Sequence, residues 1–171
     1  KLSENLRGRP YDLDAAERVT HKALALQTDY PGLYATLTEI DVLRGDGDAA
    51  RSHAAKETDP GYGPWARSLA QQVGPDRRQA DAALRDYIAK QGKDFPYFVA
   101  DLYALRRQPD EMFDWLQRAW TQHDPTFSLN LLSDPFVLAY QHDPRFAALC
   151  KQASLPLPSQ PLTAAASSSG H

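Results

Sequence analysis

The sequence predicts an all-α chain, a right-handed α-solenoid of helical hairpins with a short C-terminal helical cap, and three observations carry that reading. Turns recur as Thr28-Asp29-Tyr30-Pro31-Gly32, Thr58-Asp59-Pro60-Gly61, Lys93-Asp94-Phe95-Pro96 and His123-Asp124-Pro125, with their Asp residues stepping by 30, 35 and 30 positions. A period in that range marks stacked supersecondary units. Between the turns, apolar residues return every three or four positions, which is the helical period and not the strand's. Two short helices cannot bury their apolar faces alone, so neighbouring hairpins must share one elongated core and leave a curved surface for a partner.

The first helix is predicted from Asp12 to Thr28, with Ala16, Val19, Ala23 and Leu26 as its stripe and Asp12 or Asp14 at its positive N-terminal end. It reads as the second helix of an incomplete hairpin. The second hairpin pairs Leu33–Arg44, striped by Leu33, Leu37, Ile40 and Leu43, with Ala49–Glu57 across the breaker Gly45-Asp46-Gly47-Asp48. In the third, Tyr62–Val73 and Arg77–Gln91 flank Gly74-Pro75-Asp76, a turn one residue long for the pattern. There glycine stops one helix and proline opens the next. The fourth joins Phe95–Arg107 to Glu111–Gln122 through Gln108-Pro109-Asp110. Its stripe of Met112, Trp115, Leu116, Ala119 and Trp120 predicts the densest packing in the chain.

After Pro125 the period breaks. Ser133-Asp134-Pro135 and His142-Asp143-Pro144 open two shorter helices, because Asp accepts from free backbone N–H groups while Pro fills the first helical position, where no donor is needed. The organisation is therefore hairpin repeats over 1–126, capping helices over 127–155 and a Pro/Ala/Ser-rich tail over 156–171 whose composition buries little.

Composition narrows the function classes. With 19 basic and 22 acidic residues intermixed and a net charge of −3, no one-signed field draws this segment to nucleic acid or to an acidic membrane. The single cysteine, Cys150, excludes an internal disulfide and leaves the redox compartment open. No apolar run approaches the ~20 residues of a membrane span, and Lys1-Leu2-Ser3-Glu4 is too polar for a signal peptide. The expected location is cytoplasmic, or periplasmic if a membrane span precedes the segment. A start without methionine, in mid-helix, reads as the C-terminal part of a longer polypeptide.

Catalytic motifs are missing. No phosphate-binding Gly-x-x-x-x-Gly-Lys, Gly-x-Ser-x-Gly, His-x-x-x-His or Cys-x-x-Cys occurs, so no catalytic residue, cofactor or metal is assigned. His123-Asp124 and His142-Asp143 carry metal-ligand and acid/base chemistry in principle. Both stand before Pro at a helix junction, where Asp is required as a cap, and capping is the stronger reading. His21 and His53 read as surface or rim residues. Gly45-Asp46-Gly47-Asp48 lacks the later ligands of a calcium loop and reads as a turn. Cys150 reads as a small core residue.

The fourth hairpin resembles a tetratricopeptide repeat. Ala100 takes the small site of the first helix, Val99 and Tyr103 its large positions, and Met112, Leu116 and Ala119 the three seam positions of the second. The second hairpin fits more loosely through Tyr34, Leu37 and Thr38 with Ala50 and Ala54, and the third through Leu69-Ala70 and Ala83 to Tyr87. Met112 replaces the family's usual small residue and Pro96 its common aromatic. A narrower resemblance runs from about Ala49 to Pro156, carried by Glu57-Thr58-Asp59-Pro60-Gly61, Ala80-Asp81-Ala82-Ala83-Leu84, Phe113 to Ala119 and Asp143 to Leu149. These stretches look like the C-terminal tetratricopeptide modules of bacterial multidomain signalling proteins, which follow a winged-helix regulator, a class III nucleotide cyclase or a protein kinase.

The resemblance implies a non-catalytic protein-interaction scaffold, a sensory or regulatory segment whose partner is a protein or peptide, either its own upstream output domain or a separate protein. The alternatives are the regulatory part of an enzyme or of a winged-helix transcription regulator, with a ligand-sensing groove. The family pattern places Ala35, Glu39 and Val42, then Arg67 and Gln71, then Tyr97, Asp101 and Ala104 on the concave, partner-binding surface. That groove carries carboxylates and suits a basic or apolar extended segment better than an acidic tail. An apolar face around Leu2, Leu6 and the first helix would be covered by an upstream segment, or by a second copy in a homodimer.

Overall fold

The computed structural model describes residues 12–158. The start of the first hairpin, the face around Leu2 and Leu6, and the tail beyond 158 lie outside the described residues. Within them the chain is all helical, with ten helices and no strand. In order they are α1 Leu13–Leu26, α2 Leu33–Arg44, α3 Gly47–Lys56, α4 Tyr62–Gln72, α5 Arg77–Gln91, α6 Pro96–Leu105, α7 Pro109–Thr121, α8 Pro125–Asn130, α9 Pro135–Leu138 and α10 Pro144–Gln152. α2–α3, α4–α5 and α6–α7 pack as hairpins. α4 also packs on α2 and α3, α6 on α4 and α5, and α9 on α6.

Helix ends follow the sequence chemistry. Asp12, Asp46, Asp76, Asp124, Asp134 and Asp143 each accept from a backbone N–H of the helix they precede, satisfying donors that the first turn leaves free. At the other end, α2, α6, α7 and α10 close with a left-handed residue, Gly45, Arg107, His123 and Ser154 in turn. The following N–H reaches back five residues at each, as in Asp124 N to Ala119 O at 2.9 Å, which is the Schellman closure.

The core runs from α2 to α10, and a smaller cluster of Leu24, Leu37 and Ile40 joins α1 to α2. α6 is its axis: only Tyr103 and Leu105 of that helix escape full burial. Ala100, Met112, Leu116 and Ala119 are completely enclosed, and Cys150 is a buried free thiol.

Two expectations change. The stripe expected on α1 is rotated: Thr20 and Leu24 face inward, whereas Val19 and Leu26 stand 65% and 89% exposed. α1 packs chiefly on α2, so one side of it is used. The C-terminal region holds three short helices instead of two, since Pro125–Asn130 forms α8 behind the Asp124 cap. His53 sits at the rim. It is half-buried with Nδ1 2.6 Å from Oδ2 of buried Asp41, a link between α3 and α2.

Candidate functional site

Three of the eight residues expected on the concave surface come together. Glu39 of α2, Tyr97 and Asp101 of α6 converge on Asp134, the cap of α9, with Asp124, the cap of α8, close by. The local chemistry explains the arrangement. α6 begins with Phe95-Pro96 and has no side-chain cap of its own, so its next free donor, Tyr97 N–H, bonds to Asp124 Oδ2 at 3.1 Å while Asp124 Oδ1 accepts from Thr126 N–H at 2.8 Å. Asp134 is divided in the same way. Its Oδ1 accepts from Phe136 N–H at 2.7 Å and Val137 N–H at 3.3 Å, and its Oδ2 accepts from the Tyr97 hydroxyl at 3.1 Å.

Asp101 completes the cluster. Burial first, and the nearby Asp134 carboxyl second, hold Asp101 well above the ordinary carboxylate range, which favours its protonated form. Its Oδ1 has no hydrogen-bond partner, and neither does the hydroxyl of Tyr87, which is pushed up by burial first and then by the neighbouring Asp101 and Asp124. Glu39 is half-buried, the member of the group that solvent reaches. Burial and then the charge of Asp134 push its pKa up to about 8. The groups that shift Asp101 and Glu39 are all acids; no Lys or Arg offsets them. The result is a cluster of buried carboxyl groups with half-buried Glu39 at its edge and without a counter-charge. Among the described residues no set of three or more His, Cys, Asp or Glu is placed to hold a metal ion.

The remaining five expected residues lie elsewhere. Ala35, Val42 and Ala104 are enclosed in the core, and Tyr97 and Asp101 are themselves 0% and 2% exposed. They do not line an open groove because α9 packs across α6 and carries Asp134 onto it. Tyr97 is accordingly a core residue whose ring meets Phe127 edge-on at 6.3 Å. Arg67 and Gln71 fall in a different place, a cavity of about 660 Å³ between α3 and α5 floored by α4.

One contributor escaped the sequence reading. Glu57, buried at the end of α3, accepts from Ala35 N–H of α2 and from Asp59 N–H, each at 3.1 Å. It does for α2 what Asp124 does for α6. In both hairpins a carboxylate after the second helix returns to cap the first. The signal available was an acid beside each Asp-Pro turn, but the partner lies more than twenty residues back.

No family model, curated protein or solved structure matches the chain. Any functional reading therefore rests on the residues and their geometry. Among the described residues no helix is long and apolar enough to cross a membrane.

Proposed function

We propose that this chain is a right-handed solenoid of the tetratricopeptide type that acts as a non-catalytic protein-interaction segment, and that the surface at Glu39, over the buried carboxylate cluster, takes a basic extended peptide. The observation that carries the reading is the uncompensated acid group formed by Glu39, Asp101 and Asp134. Burying carboxyl groups without a cation is costly, and the cost falls when a Lys or Arg side chain arrives to pair with them. Two features support the repeat type: each helix packs on its near neighbours in the chain, and Ala100, Met112, Leu116 and Ala119, the small and seam sites of the fourth hairpin, are fully enclosed. The resemblance to bacterial signalling proteins makes an upstream output domain of the same polypeptide the first partner to try.

Fluorescence anisotropy of labelled twelve-residue peptides tests the proposal. Lys/Arg-rich sequences should bind, more weakly as salt is raised, and Glu39→Gln should reduce their affinity. Equal binding of a Glu-rich peptide, or indifference to Glu39→Gln in a folded variant, would reject it.

A further inference from the structure

The second concavity has the opposite character. α4 runs antiparallel to both neighbours: Gly47 at the start of α3 lies against Val73 at the end of α4, and Gln72 Nε2 bonds to Ala80 O near the start of α5 at 3.2 Å. α3 and α5 thus stand parallel on either side of α4. The residues that face one another across it, Ala54, Ala70 and Ala83, are too small to fill the space, and a slot of about 660 Å³ remains. That volume lies within the range of small-molecule sites.

The walls carry three cations, Arg51, Arg67 and Lys90, against one carboxylate, Asp86. Arg51 and Lys90 pair with Asp48 and Asp86 in solvent-exposed contacts within their own helices, and such pairs are exchanged for a ligand at little cost. Arg67 pairs with no carboxylate among the described residues. One of its Nη atoms donates to the Glu57 carbonyl at 3.2 Å, leaving most of its fork of donors open. Beneath these arms the side chains of Ser68 on α4 and Tyr87 on α5 close the slot at 4% and 2% exposure.

We propose that the slot between α3 and α5 binds a small organic anion, an apolar body bearing a carboxylate, sulfonate or phosphate. The alanine floor receives the body, and Arg67, Arg51 and Lys90 receive the anionic group. A metal cation or a basic peptide is repelled here, so this site is independent of the carboxylate cluster.

The test uses 8-anilinonaphthalene-1-sulfonate and its uncharged counterpart N-phenyl-1-naphthylamine, which share an apolar body and differ in the sulfonate. The sulfonate should bind at one saturable site per chain, about tenfold more tightly than the neutral molecule. Amide resonances of α3, α4 and α5 should move. Arg67→Glu, at an exposed position, should weaken the sulfonate about tenfold without shifting the melting temperature, Ala83→Trp should abolish binding, and Glu39→Gln should change nothing. Equal affinity for the two dyes, resonance shifts confined to other helices, unsaturable binding, or an unchanged affinity in Arg67→Glu would each overturn the proposal. Should Ala83→Trp fail to fold, the charge reversal and the neutral dye decide alone.

Discussion

The third and fourth hairpins are built to the same plan, yet one is solid and the other open. In α6–α7 the facing residues are Tyr97, Val99, Leu102, Met112, Phe113 and Leu116, and all are buried. In α4–α5 the space toward α3 is faced by alanines and remains empty enough for a ligand. The 35-residue step belongs to this hairpin, whose α5 is the longest helix described. Among the described residues, the buried side-chain polar atoms without partners are on Trp65, Ser68 and Tyr87 of this hairpin and on Asp101 of the carboxylate cluster. Side-chain volume at a few positions decides whether a helical hairpin supplies core or cavity.

The largest effect should come from placing one substitution in both hairpins. Ala119→Arg forces a long unpaired cation into a site with no free volume and should cost about 3–5 kcal/mol, whereas Ala83→Arg extends into the slot and should cost less than about 1 kcal/mol. Similar denaturation midpoints for the two variants would erase the contrast. Capping residues sharpen it further. Asp134→Ala removes the cap of α9 and also strands the Tyr97 hydroxyl and Asp101, for a loss of about 2–4 kcal/mol. Asp76→Ala removes the exposed cap of α5 alone and should lose about 1 kcal/mol. Urea titrations of both variants check the difference.

These contrasts also mark what the sequence discloses. Helix order, the Asp-Pro caps and the dense fourth hairpin are legible because each rests on residues within a few positions of one another. The second half of each cap is not. Asp134 reads as an N-cap, but its other oxygen holds a hydroxyl 37 residues earlier, and Glu57 reaches 22 residues back to α2. Without that information Tyr97 and Asp101 look like groove residues when α9 in fact covers them. The slot is silent for a different reason. Ala54, Ala70 and Ala83 are good helix formers in any context, and nothing local separates an alanine that lets helices touch, such as Ala119, from one that leaves a gap.

The carboxylate cluster and the slot should also differ in their response to pH. Glu39 ionises near 4.5 when unfolded and near 8 when folded, so between those values the folded state holds a proton that the unfolded state has released. Stability from this group is therefore fullest below about 4.5 and is lost as pH rises through about 8, at up to about 1.4 kcal/mol per pH unit. Asp101 is raised as well and acts in the same sense. Glu39→Gln should flatten the profile. Binding of a basic peptide should run the other way, tightening as Glu39 ionises toward pH 8, whereas sulfonate binding in the slot should vary little over the same range because its cations are arginine and lysine. Parallel melting and anisotropy series from pH 5 to 9 measure both. Stability that rises with pH in this range, or peptide binding that weakens, would contradict the proton assignment.

The smallest effect concerns the strain that the packed hairpin tolerates. Arg107 and His123, at the ends of α6 and α7, hold φ of 61° and 56°, while the third hairpin has no non-glycine residue at positive φ. Gly45 fills the same role at the end of α2 without a Cβ to strain. A side chain in the left-handed region costs roughly 1–2 kcal/mol, partly recovered on replacement by glycine because glycine also loosens the unfolded chain. His123 is exposed, so its imidazole packs against little. His123→Gly should therefore stabilise the protein by about 0.5 kcal/mol, a rise of a degree or two in melting temperature. A loss of stability would show that the ring of His123 holds the turn before Asp124 and so shares in building the carboxylate cluster.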